Sequence, residues 1–195
     1  VIFGFGSGEV QAAFRQGGLV LWTATLAGRR PGQSVATVED IGTTPVISGR
    51  SVYVANTSGR MVALNRDSGE RLWSAPYGTR SFIWPAGGSV FFINDLSELI
   101  RLNARTGEFI WATKLTGYLD KGSTRTKEIV AHHGPILADG QLIIASSDGK
   151  LRQFNPTSGD ELRSFSVPGG ATTAPIIADG TLYVVSKQGE LHAFR

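Results

Sequence analysis

Apolar and polar residues alternate along "VYVANTSGRMVAL" at 52–64 and along "TLYVVSKQGELHAF" at 181–194, and each run is interrupted once, by Gly59 or Gly189. A period of two is that of a half-buried strand, and a glycine between two such runs marks a hairpin turn that needs a positive φ. Many short runs of this kind, separated by glycines, favour an all-β protein over a helical one.

The runs belong to a repeat. Gly59, Val62-Ala63-Leu64, Ser68-Gly69 and Leu72-Trp73 return as Leu99-Ile100-Arg101-Leu102, Thr106-Gly107 and Ile110-Trp111. They return again as Gly149, Leu151–Phe154, Ser158-Gly159 and Leu162-Arg163, and upstream as Gly8, Val10–Ala13, Gly17-Gly18 and Leu21-Trp22. A last copy holds Gly189 and Leu191–Phe194. Another strand precedes each copy (Ser51–Ala55, Ser89–Ile93, Gln141–Ala145, Thr181–Ser186), and before that most copies carry a proline-containing run: "TTPVISG" at 43–49, "HGPILADG" at 133–140 and "TAPIIADG" at 173–180. Four strands in 40 to 50 residues make one blade of a β-propeller. The expected blades are approximately 1–26, 42–76, 80–115, 132–168 and 172–195, the first and last incomplete, all within one partial propeller.

Within this frame the recurrent residues read as structural. Gly59, Gly149 and Gly189 serve one hairpin turn, with Ser97 in the same place in the third copy; Gly69, Gly107 and Gly159 serve the next turn. Asp139 and Asp179 precede a glycine at one repeat position and read as turn residues. Trp22, Trp73 and Trp111 recur at one blade position, where a large ring packs between neighbouring blades. Arg163 stands there in the fourth copy, so that seam is expected to be weaker or capped by a loop.

Composition narrows the chemistry. The net charge is +3 with charges spread along the chain, and the densest basic stretch runs from Lys121 to Lys127 with Arg125 between, a solvated loop or a patch for an acidic partner. Nothing resembles a nucleic-acid-binding signature. There are no cysteines, which excludes disulfides and thiolate zinc sites. No run approaches the ~18 apolar residues of a membrane-spanning helix. The chain opens on "VIFGFGSGEV", already a strand, and is expected to be a piece of a longer protein. "GFGSG" at 4–8 lacks the helix of a phosphate loop and falls on the blade hairpin. His132 and His133 are adjacent in a strand and point to opposite faces, a poor geometry for one metal. The carboxylates Glu39, Asp40, Asp95, Glu98, Asp160 and Glu161 lie in different turns without calcium-loop spacing. No cofactor and no catalytic set is expected. Binding is the default, and the longest departures from the repeat, Ala27–Ile41 and Lys114–Ala131, are the candidate sites.

The repeat resembles the PQQ-type propeller repeat, and "VEDIGTTPVISGRSVYVANTSGRMVALNRDSGERLW" at 38–73, "GEVQAAFRQGGLVLW" at 8–22 and the ending "APIIADGTLYVVSKQGELHAFR" resemble the BamB family of the outer-membrane β-barrel assembly machinery. The resemblance implies an eight-bladed ring, with about four blades in this C-terminal half and a lipid anchor in the absent part, on the periplasmic face of the outer membrane. It implies a non-enzymatic scaffold that docks on the POTRA domains of BamA and helps hold nascent outer-membrane proteins. It places partner contact at Asp40, with Glu39, Ile41 and Thr43 beside it; the second acidic position of the family pattern is Gly42 here. The missing N-terminal half or a second copy is expected to complete the ring. A PQQ-dependent dehydrogenase fragment and a generic PQQ-like sensor or binding domain are the alternatives.

Overall fold

A computed structural model of the chain describes residues 1–26, 40–120 and 127–195. Among them every regular element is a β-strand. β1 (Ile2–Gly4), β2 (Glu9–Ala13) and β3 (Val20–Thr25) form a three-stranded sheet. β4 (Val46–Ser48), β5 (Ser51–Ala55), β6 (Met61–Asn65) and β7 (Arg71–Ala75) form the next, a four-stranded meander. β8 (Trp84–Ala86), β9 (Ser89–Ile93), β10 (Glu98–Asn103) and β11 (Phe109–Lys114) repeat it. β12 (Tyr118–Asp120) and β13 (Lys127–Ile129) make a separate two-stranded ribbon. β14 (His132–Ala138), β15 (Gln141–Ser146), β16 (Lys150–Phe154) and β17 (Glu161–Ser166) form a third four-stranded sheet, and β18 (Ile176–Ala178), β19 (Thr181–Val185) and β20 (Leu191–Phe194) a last one of three strands. This is the all-β blade architecture that the repeat predicts.

The strands pair antiparallel with their sequence neighbours, as short hairpins require. Three of the described prolines sit where a strand begins or its register breaks, and Pro85 lies in the short edge strand β8. Pro45 and Pro175 immediately precede β4 and β18, and Pro135 sits at the register break between His133 and Ile136 in β14.

The chain divides into two compact units, Val1–Asp95 with Arg101–Ile110, and Leu96–Ile100 with Trp111–Arg195. In the first, Val10, Ala12, Trp22, Leu26, Val52, Val54, Val62 and Leu64 make one buried cluster, with Ile2, Ala24 and Ile41 packed against it. In the second, Leu142, Ile144, Leu151 and Phe154 are fully buried between the middle strands β15 and β16. Among the middle strands β5 and β9 are the most uniformly apolar and buried, while β16 also carries the buried Arg152.

Trp22, Trp73 and Trp111 seal the seams between sheets. Each of these three indoles lies flat on the glycine of the next sheet's Ser/Thr-Gly turn. A Cβ added to Gly69 would come 2.6 Å from the Trp22 ring, one on Gly107 2.7 Å from Trp73, and one on Gly159 2.8 Å from Trp111. Trp22 Nε1 donates to the Arg66 carbonyl at 2.9 Å and Trp73 Nε1 to the Ala104 carbonyl at 3.0 Å. The same turn position also donates its N–H, from Arg66 to the Arg50 carbonyl and from Ala104 to the Gly88 carbonyl, both at 2.9 Å, whereas Pro156 at the corresponding place in the fourth sheet keeps only the carbonyl. Arg163 is exposed, donates to Gln153 Oε1 and sits 5.3 Å from the Phe165 ring centre. The space there stays open as a cleft of about 590 Å³, bordered by Arg163, Phe165, Ile177, Phe194 and Arg195.

Candidate functional site

Asp40 lies at the head of the segment that leads into β4. Three neighbours fix it, each by a different contact. Ile41 packs on the core cluster and against the backbone of β1, where a Cβ on Gly4 would come 2.7 Å from its Cγ2. Gly42 has no room for a side chain, since a Cβ there would stand 2.6 Å from Thr57 Cγ2. Thr43 is buried, and its hydroxyl donates to the Ala55 carbonyl and accepts from the Ala55 N–H, both at 3.2 Å. The Asp40 carbonyl accepts the Thr57 N–H at 3.3 Å, which ties the segment to the β5–β6 hairpin. The Asp40 side chain is left exposed. Of the four sequence-derived contact residues, Asp40 is thus presented to solvent, Ile41 and Thr43 are used inside the fold, and Glu39 lies outside the described residues.

The other long departure, Lys114–Ala131, holds the β12–β13 ribbon, with 121–126 outside the described residues. Its root rests on a polar network. The Thr116 carbonyl lies 3.0 Å from His132 Nε2, and Ser146 Oγ lies 2.8 Å from Nδ1. A carbonyl only accepts, so Nε2 carries the proton and Nδ1 accepts from the serine hydroxyl. Arg152 and Asp148 form a buried ion pair beside it, and Arg152 Nη2 reaches Thr116 Oγ1 at 3.5 Å. Burial lowers the His132 pKa; the Thr116 bond opposes this, Arg152 adds to it and Asp148 resists it. Burial by itself would raise Asp148, but the Arg152 hydrogen bond and charge overcome it and hold the carboxyl below its ordinary range.

This cluster is not a catalytic triad. Ser146 is fully buried, His132 spends its second nitrogen on a backbone carbonyl, and Asp148 is committed to Arg152. His133 points away from His132 and bonds the backbone of Ala171. Among the described residues no three His, Cys, Asp or Glu side chains converge on a metal position. Gly4–Gly8 is a tight turn in which the Gly8 N–H donates to the Phe5 carbonyl, as the blade register predicts for "GFGSG".

Sequence reasoning passed over three asparagines. Asn65, Asn103 and Asn155 each stand four residues before a seam glycine, and each Oδ1 accepts the N–H groups two and three residues on, at 2.8 to 3.3 Å. Their recurrence was the available signal. They shape the turn on which the indole lies.

The family model for outer membrane protein assembly factor BamB matches residues 1–113 and 120–195. A BamB of Alteromonas naphthalenivorans is 26% identical over 78 residues, 40% of this chain and 19% of that protein. One of Legionella pneumophila is 30% identical over 76 residues, 39% of this chain and 20% of that protein. The crystal structure of BamB from Moraxella catarrhalis superposes with a TM-score of 0.72 at 21% identity, covering 99% of this chain and 56% of that one. The chain therefore spans little more than half of that relative.

Proposed function

The chain belongs to the family of the outer membrane protein assembly factor BamB, and on that premise we propose that it is a non-catalytic scaffold of the outer-membrane barrel assembly machinery. The match over nearly all of the chain carries the reading. The rigid blades act from the periplasmic face of the outer membrane, dock on the POTRA domains of BamA and help align nascent barrel strands by edge pairing. The contact is centred on Asp40. What supports this choice is how the residue is held: Ile41, Gly42 and Thr43 are locked by packing, so an exposed carboxylate is presented without loop-ordering cost.

A further strand completes the last sheet, supplied by the rest of the protein or by a second copy. In the four-stranded sheets the strand equivalent to β20 is covered by a fourth, and Met61 in β6, Leu99 in β10 and Leu151 in β16, at or next to the start of those strands, are buried. Leu191, which opens β20, is 64% exposed.

The test is a titration of full-length protein with POTRA domains. Asp40→Arg replaces an exposed charge by its opposite and is expected to weaken binding by roughly tenfold, with unchanged melting. Equal affinity of the two proteins would remove Asp40 from the contact.

A further inference from the structure

The seam that follows β17 departs from the others at three positions at once. Trp22 and Trp73 stand opposite the small residues Ala12 and Ala63 in register, whereas Arg163 at the corresponding place stands opposite Gln153. Asn65, Asn103 and Asn155 follow Leu64, Leu102 and Phe154, whereas Arg195 follows Phe194. Indole, alanine and turn asparagine are thus replaced by arginine, glutamine and arginine. The cleft of about 590 Å³ lies at this seam. One wall is a face of the β14–β17 sheet, with Ile143, Gln153 and Arg163 in one cross-strand row and Leu151 and Phe165 in the next row of the same face. The other wall carries the row Ile177, Leu182 and Phe194 of the last sheet. Ile143, Leu151 and Leu182 are buried, while Phe165 and Ile177 remain open. Arg163 Nε donates to Gln153 Oε1 and Arg195 Nε to Thr181 Oγ1 at 3.3 Å, both neutral acceptors. Asp139 lines the same cleft and, among the described residues, pairs with neither guanidinium.

We propose that this cleft is a binding site for a small carboxylic acid with an apolar body. Its volume falls in the range that holds a small ligand, roughly 300–1,000 Å³. Two guanidiniums bordering one space attract an anion, and the guanidinium fork matches a planar carboxylate with two parallel N–H bonds. The apolar rows take the carbon body, so a free inorganic anion satisfies only part of the site. The inference goes beyond the scaffold role. The site shares no residue with the contact at Asp40, so either can fail without the other.

The experiment is a calorimetric titration of the full-length protein with octanoate, octanol and acetate. Octanoate is expected to bind at least about tenfold more tightly than either, because it alone presents both the charge and the carbon chain. Arg163→Gln and Arg195→Gln are each expected to weaken octanoate binding by roughly tenfold and to leave octanol unaffected. Both side chains are exposed, so melting without ligand should not move. Arg163→Trp restores the indole of the other seams; it is expected to close the space and abolish octanoate binding without lowering the melting temperature. Octanoate binding that is indifferent to all three substitutions overturns the site. So does failure of the full-length protein to bind octanoate, the result expected where its remaining chain fills the cleft. Octanol that binds as tightly as octanoate removes the guanidiniums from recognition and overturns the proposal as well. Inorganic phosphate that competes as well as octanoate overturns the carboxylic-acid class in favour of a plain anion site.

Discussion

Ser97 stands where the other blades have Gly8, Gly59, Gly149 and Gly189, and it takes the same left-handed backbone, with φ of 57°. A side chain in that region costs about 1 kcal/mol or more, and glycine relieves it while adding entropy to the unfolded chain. Ser97→Gly should therefore stabilise modestly, by up to about 1 kcal/mol in a denaturant titration. Asp139 and Asp179 adopt φ of 48° and 47° ahead of Gly140 and Gly180, the conformation of a tight primed hairpin turn. A second residue-scale consequence follows from His132 and His133, both lowered from the ordinary value of 6.5, chiefly by burial. The unfolded chain then takes up protons before the folded one does. Stability is complete above the ordinary histidine value and falls as pH drops through it toward the folded values. Melting of His132→Gln and His133→Gln together should show a smaller loss between about pH 7 and pH 5 than wild type.

At the scale of elements, the seam is the unit that holds sheets together. An indole face on a glycine, plus one N–H to a carbonyl, recurs for Trp22 and Trp73. Trp73→Ala empties that space and should cost about 3–5 kcal/mol. Trp73→Phe keeps much of the ring contact but leaves the Ala104 carbonyl without its donor, and should cost less, with about 1 kcal/mol assigned to the hydrogen bond. Equal destabilisation by both variants in a urea titration would show that the bond, not the packing, dominates. The buried Arg152–Asp148 pair behaves differently: removing one partner leaves a buried charge, which is worse than removing both.

On the scale of the whole molecule, the last sheet decides association. Among the described residues β20 has no strand on its far side, and it exposes Leu191. An apolar edge of this kind pairs with whatever strand is available. The 195-residue chain should self-associate with rising concentration in sedimentation velocity, and Leu191→Glu should shift it toward monomer. A wild-type chain that stays monomeric throughout would show that the edge is closed by other means.

How much of this was legible beforehand varied by scale, and the reason is physical. Strand pairing, blade architecture and the seam role of Trp22, Trp73 and Trp111 were all readable, because alternation, turn glycines and repetition are local and recur in fixed register. The Asn65, Asn103 and Asn155 turns were present as a pattern but silent about their bonds, since a side chain that caps its own turn looks like any polar loop residue. The residues expected beside Asp40, Ile41 and Thr43, could not be divided into buried and presented from sequence. Ile41 is set by the backbone of Gly4, Thr43 by Ala55, and the size limit at Gly42 by Thr57, all partners supplied from elsewhere in the chain. The sequence by itself determined the strands, their order and the repeat. Only the tertiary structure decided that Asp40 faces water and that Arg163 and Arg195 border one cleft, because exposure depends on what distant segments cover.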